Sequence, residues 1–161
     1  MKKWIVGLLA LALLATPALA AEPTRQSVEV GGKPVEFSMY TLYDENGYAT
    51  NYVKLRDVAW ALQFTSKRFN VSYDGSTVVT TGAQYVLVGN EMSLLEAVGS
   101  VKTYTAVLTV DGVGVQKEAL LITPPGSSDG NFYYKLRDLG DAIGFGVGWS
   151  AERGVYLETE G

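Results

Sequence analysis

Neither cysteine nor histidine occurs anywhere in the 161 residues. Without cysteine there is no disulfide and no thiol nucleophile, so a secreted form of this chain must hold together by packing alone. Without histidine there is no imidazole proton shuttle, no Ser-His-Asp or Cys-His arrangement, and no zinc site of the usual type. Carboxylates, Lys, Tyr and Ser/Thr are what remains for chemistry. Positive charge is also scarce, with 13 Lys and Arg against 17 Asp and Glu.

Long apolar runs are absent except at the start. Met1-Lys2-Lys3 leads into an apolar run from Trp4 to Ala15, then Thr16-Pro17 and Ala18-Leu19-Ala20. A short basic start, a brief apolar core and an Ala-x-Ala end predict a secretory signal peptide over residues 1–20. The run falls short of the roughly 20 apolar residues that span a bilayer, so no membrane insertion is expected after cleavage. Losing Lys2 and Lys3 leaves a balance of −6 in the mature chain. Such a surface repels phosphate backbones and excludes nucleic acid and anionic membranes as natural partners.

Much of the remaining chain is written twice. Val28–Val35 aligns with Leu108–Val115, and the loop Asp44–Thr50 with Pro124–Gly130. Lys54-Leu55-Arg56-Asp57 returns as Lys135-Leu136-Arg137-Asp138, and Asn70–Tyr73 answers Gly146–Trp149 once five extra residues, Thr65–Phe69, are allowed in the first copy. Each copy reads as a hairpin around Gly31-Gly32 or Asp111-Gly112, a polar loop, a short strand, one helix, and two short strands. At 100° per residue, Leu55, Val58, Ala59 and Leu62 share a stripe, as do Leu136, Leu139, Gly140 and Ile143. Several antiparallel strands with a single helix make an α+β class. The division expected is a first module over 21–82, an ordered apolar connector over 83–104, and a second module over 105–161.

"NYVKLRDVAWALQFTSKRFNVSYDGSTVVTTG" and "NFYYKLRDLGDAIGFGVGWSAERGVYLET" resemble the stalk-type module named after the N-terminal domain of copper amine oxidases. The shared pattern is a strand, a Leu-Arg pair opening a helix, an apolar stripe, an aromatic after a short strand, and a turn into a last strand. The resemblance implies two repeated small modules, each a twisted antiparallel sheet wrapped around one short helix. It implies an extracytoplasmic protein of a kind common on the envelope of Gram-positive bacteria. It implies no activity, since the copper and quinone chemistry of those oxidases belongs to a separate, larger domain with His ligands.

No residue is therefore assigned a catalytic, metal or cofactor role. Leu55, Arg56 and Asp57, with Leu136, Arg137 and Asp138, are read as helix starts: a buried Leu, a locally paired Arg, and an Asp in the first turn where the helix dipole favours it. Gly144-Phe145-Gly146-Val147-Gly148 follows a helix rather than preceding one, so it reads as a helix end and not as a nucleotide loop. Tyr73 and Trp149, at equivalent positions, are expected in the core. Trp60 falls about 140° from Leu55, off the apolar stripe, and the second copy has Asp141 there. It is expected to meet the connector, the second module or a partner. The function expected is a binding, scaffold or spacer role through protein contacts, or binding of a cell-wall glycan by exposed Tyr.

Overall fold

The computed structural model describes residues 21–160; the expected leader lies outside them. The first half forms β1 (Ala21–Val30), β2 (Lys33–Tyr43), β3 (Ala49–Val53), α1 (Leu55–Leu62), β4 (Phe69–Tyr73) and β5 (Thr77–Thr81). The second half forms β6 (Ser100–Val110), β7 (Val113–Thr123), β8 (Asn131–Lys135), α2 (Leu136–Ile143), β9 (Gly146–Ser150) and β10 (Gly154–Glu158). The described residues are thus mostly β, with two short helices. The β1–β2 and β6–β7 turns need two successive residues at positive φ, and Gly31-Gly32 (60°, 84°) and Asp111-Gly112 (50°, 87°) supply them.

All ten strands among the described residues join one sheet, in the order β4-β5-β6-β7-β8-β3-β2-β1-β10-β9. This corrects the expectation of two separate, wholly antiparallel sheets. Each helix carries the chain across the sheet to the other half, so β5 pairs with β6 and β10 with β1, both in parallel. A crossover through a helix permits parallel pairing, which a tight hairpin does not. The two junctions match in register: Val78↔Thr109 and Val79↔Val110 on one side, Tyr156↔Glu29 and Leu157↔Val30 on the other. At the centre β3 and β8 run antiparallel, joined at Tyr52↔Lys135 and Val53↔Tyr134.

Alternation along the strands gives each sheet face its own apolar cluster. One takes both helices, with Phe37, Met39, Val53, Leu62, Phe69, Leu108, Tyr134, Leu139 and Leu157 among its members. The other lies on the opposite face, around Tyr40, Tyr52, Leu120, Ile122 and Tyr133. Residues 83–99 form neither helix nor strand, and β6 begins at Ser100, inside the stretch read as connector. The connector joins the two faces: Tyr85 and Met92 pack with the first cluster, Leu95 and Val98 with the second. The Tyr40 hydroxyl donates to the Glu96 carbonyl at 2.7 Å and pins its far end.

The two helix exits differ. Gly144 closes α2 in the left-handed conformation and turns the chain straight into β9. After α1 the chain takes a longer route, and the buried Phe69, not Phe64, occupies the place of Phe145: Phe64 is 88% exposed. The extra residues of the first half are therefore 64–68 rather than 65–69.

Candidate functional site

Both Lys-Leu-Arg-Asp segments open helices directly, α1 at Leu55 and α2 at Leu136, with Lys54 and Lys135 as extended N-caps. Each opening borders a groove. The first, about 380 Å³, is walled by Lys54, Arg56, Val71, Tyr73, Asn131 and Phe132. The second, about 420 Å³, is walled by Val28, Thr50, Lys135, Arg137, Asp138 and Val147. Both combine a helix start from one half with strand residues from the other, so neither half builds a groove alone.

The surroundings of the two segments differ sharply. In the first, Asp57 is fully buried, and its Oδ1 accepts the Met92 N–H at 2.8 Å and lies 3.6 Å from Lys54 Nζ. Lys54 Nζ also donates to the Asn90 carbonyl at 3.2 Å, and Arg56 reaches the Tyr85 hydroxyl at 3.4 Å. Tyr85 donates to Glu91, whose two carboxylate oxygens also accept the N–H groups of Val88 (2.7 Å) and Gly89 (2.9 Å). A helix start has thus become a clasp on residues 85–92 of the connector. In the second, Lys135 pairs with Glu118 at 3.3 Å and Arg137 donates to the Val147 carbonyl at 2.7 Å, while Asp138 stays half-buried.

The clasp shifts its acids in opposite directions. Burial pushes the Asp57 carboxyl up from its ordinary 3.8, against the pull of the Met92 N–H and Lys54, and Oδ2 has no hydrogen-bond partner. For Glu91 desolvation also pushes upward, but the Tyr85, Val88 and Gly89 donors outweigh it and bring the carboxyl down to about 2. Burial, then the bond to Glu91, lifts the Tyr85 hydroxyl to about 12.

A prediction follows from Asp57. A raised pKa means that the folded chain holds this proton more tightly than the unfolded chain does. Ionised Asp57 therefore costs stability above its folded pKa, and the cost fades as pH falls toward 3.8. Glu91 contributes the reverse slope, but only below its ordinary 4.5. Asp57→Asn keeps an acceptor for Met92, so stability at pH 7 should hold within about 1 kcal/mol while its rise from pH 7 to 4.5 flattens. Asp57→Ala leaves the Met92 N–H orphaned and should cost about 1–3 kcal/mol. Denaturant midpoints across that range check both; an alanine variant as stable as the parent would mean that the clasp holds nothing.

The aromatics do not lie where the sequence places them. Tyr73 is 74% and Trp149 67% exposed, which corrects the expectation of core positions. They share strand faces with the more buried Val71 and Val147, but lie toward the C-terminal ends of β4 and β9, where burial falls off. Tyr73 thereby becomes a wall of the first groove, and Trp149 pairs across β10 with Val155, a wall of the second. Trp60 is 37% exposed on the side of α1 away from the buried stripe. Asp57, also off the stripe, is covered by the connector. Nothing in the apolar pattern signals this, because the attraction is between a carboxylate and a backbone N–H.

Among the described residues no group of three or more Asp or Glu is placed to hold a metal ion, and no helix is long and apolar enough to cross a membrane. In comparisons with family models, curated proteins and solved structures, nothing matches this chain significantly.

Proposed function

We propose that the chain is a secreted, non-catalytic envelope protein, built by duplication of one stalk-type module and acting as a binding or scaffold element. What supports the reading is a single arrangement: two matched grooves, each at a Lys-Leu-Arg-Asp helix start and each completed by the other half. The duplicated segments differ in what they hold rather than in their fold. That is what a binding scaffold requires, whereas a catalytic site would require a convergent set of reactive groups. The helix-start roles of Leu55, Arg56 and Asp57, and of Leu136, Arg137 and Asp138, belong to this reading. Trp60 remains a candidate contact, between the modules or with a partner.

A second reading, binding of a cell-wall glycan, rests on the first groove. Tyr73 and Phe132, both exposed, line it together with Asn90 and Asn131. A flat ring face beside amide donors and acceptors suits a sugar, which presents apolar C–H faces edged by hydroxyls.

Sedimentation of the mature protein with purified Gram-positive walls, before and after the walls are stripped of protein, tests both. Binding lost on stripping supports protein contacts. Binding retained, and weakened roughly fivefold to tenfold by Tyr73→Ala, supports the glycan. A protein that stays in solution with both kinds of wall would overturn the envelope-binding role.

A further inference from the structure

The first Lys-Leu-Arg-Asp segment displays its ligand within the same chain. Lys54 donates to the carbonyl of Asn90, and Asp57 accepts the N–H of Met92, two residues on. Between them these charges read the backbone of a turn, in which Met92 stands at a φ of 62°, rather than a particular side chain. Met92 then drops its side chain onto the main apolar cluster. The turn at 90–92 is thus held by one carbonyl, one N–H and one apolar anchor, while Tyr85 and the Val86 N–H are held further back by Arg56 and Asn70.

The second segment carries the same Lys and Asp at the same spacing, and among the described residues no connector reaches it. The connector is the stretch immediately ahead of β6; the stretch immediately ahead of β1 is the expected leader, so among the described residues nothing plays the corresponding part. Asp138 consequently lines a groove, where Asp57 is sealed beneath Met92. Beside its polar lining the groove has an apolar part: Val28 and Met39 are buried, and Val147 and Val155 line it with them.

We infer that the groove at Lys135 and Asp138 is a docking site for a turn-forming peptide segment of a partner protein, held as the turn at residues 90–92 is held in the first half. The peptide offers a backbone carbonyl to Lys135 and, two residues later, an N–H to Asp138. A Met-like or Leu-like side chain at that second residue enters the groove between Val28, Met39 and Val147. Lys135 has three N–H donors, so it can serve the carbonyl while keeping Glu118. The occupant is a peptide rather than a sugar because what the Lys and Asp of the first segment hold in the connector is backbone. The inference rests on the duplicated-module reading above, since it carries one segment's ligand over to the other.

The test uses the chain from Ala21 onward and a synthetic, fluorescently labelled peptide of residues 83–97, followed by anisotropy. Saturable binding of one peptide per chain is expected. Asp138→Ala should weaken it about tenfold or more, and N-methylation of the peptide at the residue matching Met92, which removes the donor, should do the same. Asp138→Asn, which keeps an acceptor, should retain most of the binding. Amide shifts should map to residues 26–28, 49–51 and 136–138. Absence of binding, indifference to Asp138→Ala or to N-methylation, or shifts confined to residues 54–57, would each overturn the inference. Wall sedimentation that persists while the peptide fails would leave the envelope-binding reading standing; loss of wall binding with intact peptide binding would do the reverse.

Discussion

Residues 21–82 produced alone should not give a folded monomer, nor should residues 83–161, and mixing the two should restore the fold. The reason lies in the exchanged hairpins. The β4–β5 hairpin of the first half, which carries the buried Phe69, Val71 and Val79, rests on β6 of the second half, and β10, which carries the buried Leu157, pairs with β1. Burying each such side chain contributes about 1.5–3 kcal/mol. Three of them together rival the 5–15 kcal/mol that holds a whole domain. A separated first half loses the strand on which its hairpin rests, and a separated second half loses β1. Each fragment alone should show little near-ultraviolet dichroism and no cooperative melt. An equimolar mixture should recover both as a one-to-one complex. A monomeric 21–82 fragment that melts cooperatively would show that a half can close on itself, and the reciprocal exchange would then be dispensable.

Gly140→Ala should be among the most damaging single substitutions, although it adds one methyl to a helix and alanine has the higher helix propensity. A Cβ at this position would lie 2.5 Å from the Phe145 carbonyl oxygen and 3.2 Å from Val147 Cγ2. The nearer obstacle is backbone, fixed by the left-handed turn at Gly144. Overpacking of this kind costs about 1–3 kcal/mol, and the tight exit from α2 leaves little room for relief. The first half has Ala59 at the matching position, fully buried, and tolerates it because its chain leaves α1 by the longer route. Ala59→Gly should therefore cost only about 1 kcal/mol, the ordinary price of glycine in a helix. Unfolding midpoints of the two variants form a matched pair, and equal losses would refute this account of the helix exits.

The helices were legible in the sequence because one physical cause dominates them. Leu55, Val58, Ala59 and Leu62 recur at helical spacing and all are buried; in the second half Leu136, Leu139 and Gly140 are buried and Ile143 is half-buried. The exchange of hairpins was not legible. The apolar alternation of β5 and β10 would be the same whichever neighbour they joined, and the direction of each helix across the sheet decides the neighbour. Phe64 misled because a phenylalanine after a helical run resembles Phe145. The equivalence belongs to Phe69, and only the length of the turn separates the two. Tyr73 and Trp149 misled for a related reason, since strand alternation reports which face a residue takes but not where along the strand burial falls off. The clasp at Asp57 was hidden most completely, because its partner is a backbone N–H 35 residues away.

The parallel junctions also bear on how the molecule carries load. β1 and β10 point the same way and are joined at Glu29↔Tyr156 and Val30↔Leu157. Tension that draws Ala21 and Glu158 apart therefore slides these strands along one another instead of peeling them open. Both paired positions must yield together, whereas the pairs of a hairpin pulled at its open end would yield one after another. In a protein tethered at one end and loaded at the other, that difference acts on the rate of forced unfolding, and the two outermost hairpins serve as its lock.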